Sequence, residues 1–351
     1  MTVSGSPARS SCGTAVMLGV MPLVGVTRGE SGLDWQAEPS TAKIVVIETR
    51  LRSATAFEVH INMRRWQQLP GPKTVLSIAP CRANFLLGTN EGAWAFVSSL
   101  ASCEIVTESL RPAMVSAVAS GGQRLFVGAS DGIAFSDDEG STWQAALLPG
   151  KLHVSQIVPS PRYEQDGIIF AATLQAGVLS SLDSGHNWSF SNLGLSDPEA
   201  VALALSPEFS ADMTVVVAVN NGAFISNNLG RTWRVLPIEA AAMPAAGFAF
   251  SRQALLVGSE TKGVYHSDDC GKSFVKRAAF SSGVINAMAV SPDGSKICMA
   301  TPQVVVFSSD FGATWQRTDG RSPRGVLAIA VTDEGVILCG TQNDGLWMYG
   351  G

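Results

Sequence analysis

Apolar residues gather in short runs that recur along this chain at a nearly fixed interval. Runs rich in Val, Ile, Leu and Ala occupy residues 75–79, 115–119, 154–158, 201–205, 247–250, 285–290 and 326–331. Each is followed by a turn and a second such run, at 85–88, 125–128, 168–173, 215–219, 255–258, 297–301 and 337–341. Gly, Pro, Ser and Asn bound these runs, which is the signature of strands. Each second run leads into a short polar loop that closes on a glycine: Gly92, Gly132, Gly177, Gly222, Gly263 and Gly345, with Val304 in the sixth place. The steps between these positions are 40, 45, 45, 41, 41 and 41 residues. A third strand starts at each, so the pattern predicts seven similar units. A period of this length built from short strands predicts a propeller or an array.

Five of the units share an octapeptide, Ser-x-Asp-x-Gly-x-Thr-Trp, at Ser136 to Trp143, Ser181 to Trp188, Ser226 to Trp233, Ser267 to Phe274 and Ser308 to Trp315. It falls where the third strand must turn into a fourth. Asp138, Asp183, Asn228, Asp269 and Asp310 can accept backbone N–H bonds from the turn that follows. Gly140, Gly185, Gly230, Gly271 and Gly312 supply a positive φ there. Trp143, Trp188, Trp233, Phe274 and Trp315 each bring a large ring to bury. Every position has a structural reason, so the boxes are read as scaffold.

Four strands in each unit of 40–45 residues is the arithmetic of a β-propeller blade. The seventh unit ends at Gly351 after three strands. Trp66-Gln-Gln-Leu-Pro resembles the segments that open the fourth strands at Trp143 and Trp233, and it precedes the first inner strand. The expectation is therefore an all-β, seven-bladed propeller over residues 61–351, its ring closed by an N-terminal outer strand. Residues 1–60 form a separate segment, either partly mobile or carrying extra strands. Within it, 44–48 and 57–61 read as strands, and Gly32 to Trp35 reads as the tail of a degenerate box, which leaves an eighth blade open.

Composition narrows the partners. Of 351 residues, 46% are hydrophobic and 15% charged, and the net charge is −5. No basic cluster exceeds pairs such as Arg64-Arg65, which argues against nucleic acid. None of the six cysteines stands in a CxxC pair and no histidine lies at ligand spacing to them, so no metal or other cofactor is expected. Residues 14–26 are apolar, too short to span a membrane as a helix and interrupted by Gly19, Pro22 and Gly25. They read as the core of an export signal or as a buried strand pair. A cytoplasmic location is the adopted reading and export the alternative; no integral membrane segment is expected.

The octapeptide resembles the Asp-box (BNR) repeat of sialidases, sortilin-type receptors, xyloglucan-active glycosidases and photosystem II assembly factors, over roughly residues 66–351. The chain departs from it at Asn228 for Asp, Asn187 for Thr, and Ser273-Phe274 for Thr-Trp. The resemblance implies that the boxes lie away from the functional face. A sialidase-like site would need a tyrosine nucleophile with a glutamate and three arginines. The only tyrosines are Tyr163, Tyr265 and Tyr349, away from the predicted axis, and the N-terminal Arg-Ile-Pro signature is absent. An assembly factor would carry a basic patch on one face, whereas the arginines here are dispersed along the sequence. If there is a site, it is expected in the loops from second to third strands, which carry Glu91, Asp131, Asn221, Glu260 and Asp344. These are also ordinary turn residues. The reading that results is a non-catalytic scaffold that binds a protein partner, or a glycan, or joins a larger assembly. The alternative is a carbohydrate-active hydrolase or lyase using carboxylates on the loop face.

Overall fold

The computed structural model describes residues 26–29, 32–35, 65–81, 84–97, 102–106, 114–239, 242–250, 254–277 and 283–350. Two units divide the chain, Met1–Asn62 and Met63–Gly351. In the first, Val26–Gly29 pairs antiparallel with Gly32–Trp35, so the stretch read as the tail of a box is one arm of a hairpin. The strands expected at 44–48 and 57–61, and the apolar run up to residue 25, lie outside the described residues.

The second unit is a seven-bladed β-propeller: seven antiparallel sheets of four strands each. The inner strands are Val75–Cys81, Val115–Gly121, Val154–Pro159, Ala200–Leu205, Ala245–Phe250, Ala287–Val290 and Val326–Val331. Pro80 and Pro159 stand inside the first and third of them rather than after them. An inner strand is a sheet edge with a partner on one side only, so a missing N–H is tolerated. In blades 1 to 5 and 7 the register shifts by one residue near the start of the inner strand. This bulge turns Ser116 and Ser155 toward the next blade, where their hydroxyls donate to the backbone carbonyls of Val154 (2.6 Å) and Ala200 (2.8 Å).

The 45-residue spacing of blades 3 and 4 has a visible cause. Each carries a short helix between inner and second strands, Tyr163–Asp166 and Phe209–Asp212. The same bonds hold both: Ser160 donates to Asp166 Oδ2 and Ser206 to Asp212 Oδ2, each at 2.6 Å. Tyr163 and Phe209 then pack edge-on against Phe126 and Phe170 of the preceding blades, at 5.7 and 6.0 Å. Gly121, the last residue of the blade 2 inner strand, lies against the Tyr163 ring.

Blade-on-blade contact fixes residue size on the second strands. A Cβ on Gly128 would stand 2.7 Å from Val154 Cγ1, and one on Gly88 would stand 2.6 Å from the Val115 carbonyl. At the seam, Gly340 of blade 7 faces Val75 of blade 1, where a Cβ would meet Val75 Cγ1 at 2.5 Å. The seam itself closes as expected: Trp66–Leu69 pairs with Leu346–Tyr349 as the fourth strand of blade 7, Trp66 opposite Tyr349 and Leu69 opposite Leu346. Outer strands are short, two residues each in blades 2 to 6, against four in blades 1 and 7.

Overpacking a core commonly costs about 1–3 kcal/mol. Gly340→Val is therefore expected to lower stability by about that amount, whereas Gly150→Val, where an added Cβ meets nothing within 4 Å, leaves it nearly unchanged. Thermal unfolding of the two variants checks this, and equal melting temperatures would contradict the seam packing.

Candidate functional site

The five boxes adopt one hydrogen-bonded geometry. The box glycine N–H donates to the leading serine at 2.8, 2.9, 3.0, 2.8 and 2.7 Å in chain order. That serine's hydroxyl donates to Oδ1 of the Asp or Asn two residues on, at 2.7 to 2.8 Å. The same Oδ1 accepts the backbone N–H four residues further, from Thr142, Asn187, Thr232, Ser273 and Thr314. The departures from the pattern keep the bonds. Asn187 donates its amide to Asp183 Oδ2 at 2.6 Å, and at Asn228 the direction reverses, its amide donating to the Thr232 hydroxyl at 2.8 Å. The residue before each glycine, Glu139, Ser184, Leu229, Cys270 and Phe311, also has a positive φ, between 53° and 65°. Side chains resist that backbone, and the turn bonds hold it.

Box rings also tie neighbouring blades. The indole N–H of Trp143 donates to the Val106 carbonyl at 2.6 Å, and that of Trp233 to the Ser191 carbonyl at 2.6 Å. Leu147 and Leu193, on the chain leaving one blade, accept from the backbone N–H of Trp188 (3.0 Å) and Trp233 (2.8 Å) in the next. Between blades 2 and 3, the Arg124 guanidinium grips Asp137 with two bonds (2.6 and 2.9 Å), donates to the Ser184 carbonyl (2.6 Å) and lies 4.5 Å over the Phe135 ring.

The tyrosines have structural roles too. Tyr163 donates to the Ser184 carbonyl at 2.9 Å, Tyr265 donates to Glu239, and the Tyr349 hydroxyl accepts from the Asp319 N–H at 3.1 Å. Burial, with Glu239 alongside, pushes the Tyr265 phenol up to about 12. His266 is buried between Arg277 Nη2 (2.7 Å) and Asp268 (3.1 Å), and burial together with the Arg277 charge lowers its pKa. Among the described residues, no cluster of three or more His, Cys, Asp or Glu could hold a metal ion.

The turns from second to third strands are held from within. Thr89, Thr173 and Thr341 are buried and donate to the carbonyls of Gly92, Gly177 and Gly345, at 2.7 to 2.9 Å. Thr89 and Thr341 also accept from the N–H of Glu91 (3.0 Å) and Asp344 (2.9 Å). Glu91, Asp131, Asn221, Glu260 and Asp344 are accordingly exposed at five separate turns, and no hydrogen bond or ion pair joins any two of them. Asp344 alone of the five borders a cleft beside blade 7.

That cleft, about 840 Å³, lies between the chain leaving blade 6 and blade 7. One wall is the connection Asp319 to Arg324. The other is blade 7 itself, with Trp66 and Gln68 on the closing strand and Trp347 beside Gln68 on the neighbouring strand. Arg65 stands at the strand's start. Arg65, Arg321 and Arg324 are exposed and, among the described residues, none of them makes an ion pair. The carboxylates present are Asp319 and Asp344, and Gln68 Nε2 donates to the Asp344 carbonyl (2.8 Å) and Oδ1 (3.3 Å). The expectation of dispersed arginines is thus corrected at this cleft: ring closure brings Arg65 beside Arg321 and Arg324, which stand far along the chain. Among the described residues no helix is long and apolar enough to cross a membrane.

No family model matches the sequence and no curated protein does. Solved propellers do match the fold. A GH74 xyloglucanase from Xanthomonas campestris superposes with a TM-score of 0.65 at 15% identity, over 81% of this chain and 53% of that one. The chain thus spans about half the length of the xyloglucanase. YCF48 bound to a D1 peptide gives 0.63 at 18% identity, over 82% and 95% of the two chains. YCF48 from Cyanidioschyzon merolae gives 0.61 at 15%, over 81% and 98%. These likenesses show the seven-bladed fold.

The boxes predict an acid response. Hydrogen bonds from the Thr142 hydroxyl and N–H and from Ser136 lower the Asp138 pKa to about 2, and the Thr314 and Ser308 bonds lower Asp310 equally. At Asp183 burial opposes the Asn187 and Ser181 bonds, which still bring it to about 2. Ser273 and Ser267 lower Asp269 further. Each folded value lies below the unfolded one of about 4, so the stability these groups contribute is full above that pH and is lost as pH falls through the folded values. Melting temperature is expected to fall steeply below about pH 4. Replacing Asp138, Asp183, Asp269 and Asp310 with Asn should flatten that fall, and an unchanged slope would refute this account.

Proposed function

We propose that this propeller is a non-catalytic binding module whose partner is a protein with an acidic, extended segment, seated in the groove between blades 6 and 7. One observation carries the reading: three guanidinium groups that make no ion pair among the described residues, Arg65, Arg321 and Arg324, line one groove of a chain whose net charge is −5. Arginine forks match carboxylates with paired, charge-assisted hydrogen bonds. Trp66 and Trp347, half-exposed on the blade 7 wall, offer flat apolar area to the rest of the segment. A solved propeller of the same fold, YCF48, was captured with a D1 peptide, which supports a peptide ligand as the class. In this reading residues 61–351 form the binding disc, the box residues serve as scaffold, and the site uses Asp344 alone of the five turn positions singled out in the sequence.

A glycan-cleaving role would need two carboxylates flanking a sugar bond. Asp319 and Asp344 are the acids of this groove, and Asp344 already accepts from Gln68. No hydrolysis of soluble β-glucans is expected, and release of reducing sugar that disappears in Asp344→Asn would replace this reading with the enzymatic one.

The direct test is fluorescence anisotropy with labelled hexaglutamate and hexalysine. Hexaglutamate should bind, more weakly as salt rises, and hexalysine should not. Arg321→Ala with Arg324→Ala should weaken binding at least about tenfold, near 1.4 kcal/mol, with melting temperature unchanged. Equal affinity of the double variant would remove the arginines from the site.

A further inference from the structure

The groove is assembled from the two ends of the propeller. Arg65, Trp66 and Gln68 belong to the first strand to enter the ring, while Asp319 to Arg324, Asp344 and Trp347 come from its last part. The two are joined beneath the groove by a closed set of hydrogen bonds. Trp66 Nε1 donates to Thr318 Oγ1 at 3.0 Å. Thr318 spends its own proton on the Val305 carbonyl at 3.1 Å. Ser322 Oγ lies 3.1 Å from Thr318 Oγ1 and accepts the Val305 N–H at 3.3 Å. An indole N–H can only donate and a hydroxyl has one proton, so the directions are fixed: Ser322 donates to Thr318, which accepts from both Trp66 and Ser322. Thr318 and Ser322 are buried, and Arg321 and Arg324 sit on either side of Ser322. A second tie runs through Tyr349, whose ring lies 5.3 Å from Trp66 and whose hydroxyl takes the Asp319 N–H. On the far side of the groove, Gln68 holds the turn at Asp344.

The closing strand is at the same time weakly held. It is four residues long, it pairs on one side only, and of its side chains only Leu69 is fully buried. Edge segments of this kind open at a free energy well below that of global unfolding.

We propose that ligand binding in the groove and seating of the closing strand Trp66–Leu69 are thermodynamically coupled through the Trp66–Thr318–Ser322 bonds. The arginine connection takes its binding geometry only when the strand is docked, and a ligand that touches both ends of the ring holds the ring shut. Coupling of this sort is reciprocal: whatever the ligand adds to closure, closure adds to affinity. The inference rests on the reading of the groove as an acidic-peptide site.

Hydrogen exchange on the full chain, with and without hexaglutamate, tests it. At a free concentration of one hundred times Kd, amides of residues 66–69 should exchange about a hundredfold more slowly, because strand opening would require release of the ligand. Amides of the inner strands of blades 3 and 4 should be unaffected. In parallel, Thr318→Val should weaken hexaglutamate binding at least about tenfold, and Thr318→Ser, which keeps the hydroxyl, should restore it; a purely structural threonine would not separate the two in affinity at equal melting temperature. If the wild-type chain binds no hexaglutamate, the groove reading falls and the coupling with it. If it binds hexaglutamate but the closing strand exchanges at the same rate, or Thr318→Val binds as wild type does, the groove reading stands and the coupling is wrong.

Discussion

The ring is closed by one four-residue pairing, Trp66–Leu69 against Leu346–Tyr349. Each blade buries its faces only against its two neighbours. A row of such sheets ends in two exposed faces unless the first meets the last. The closing strand brings the chain's early residues into the last blade and sets Gly340 against Val75. The ring curvature needed for that meeting is distributed around the circle. Small residues on the second strands admit the neighbouring blade, and Tyr163 and Phe209 pack edge-on against Phe126 and Phe170 of the blade before.

Seen from this constraint, the box hairpins do two jobs. Internally, one serine hydroxyl and one Asp or Asn side-chain oxygen take the N–H of the box glycine and that of the residue two positions beyond it. Externally, in blades 2 and 4, the indole N–H ties the turn to the carbonyl of the blade before. Asn228 shows which part is essential: Oδ1 is kept, while the second oxygen is exchanged for an amide that reverses one bond. Asp138, Asp269 and Asp310 are each engaged by two hydroxyls and at least one backbone N–H, and Asp183 by a hydroxyl, an amide and a backbone N–H, which leaves these carboxylates little capacity for a ligand.

Function has to be sought where the fold leaves polar groups uncommitted, since a propeller hosts many activities. Four of the turns between second and third strands are bound by their own threonine hydroxyls, Thr89, Thr173, Thr301 and Thr341, and the exposed acids of these turns do not bond one another. The groove beside the seam differs. Among the described residues its three arginines have no ion-pair partner, and its tryptophans stand half-buried in the same groove. The hydrogen bonds from Trp66 to Thr318 and between Thr318 and Ser322 tie its two walls to the closing strand.

The sequence by itself determined the local and periodic features. Strand alternation, the seven-fold spacing, the turn role of the boxes and even the match of Trp66-Gln-Gln-Leu to other outer strands were legible, because each follows from nearest-neighbour chemistry that a repeat restates. The short helices of blades 3 and 4 were present only as two extra-long steps, and the positive φ of Glu139 or Leu229 left no mark in residue type. The groove beside the seam comes from ring closure and has no local signal. Arg65 lies far in sequence from Arg321 and Arg324, and a count of charges along the chain sees dispersion where closure creates a cluster. Conversely, Glu91, Asp131, Asn221, Glu260 and Asp344 belong to equivalent turns of the repeat and stand on five different blades. Periodicity fixes where each unit repeats itself; which residues meet across the seam depends on how the ring closes.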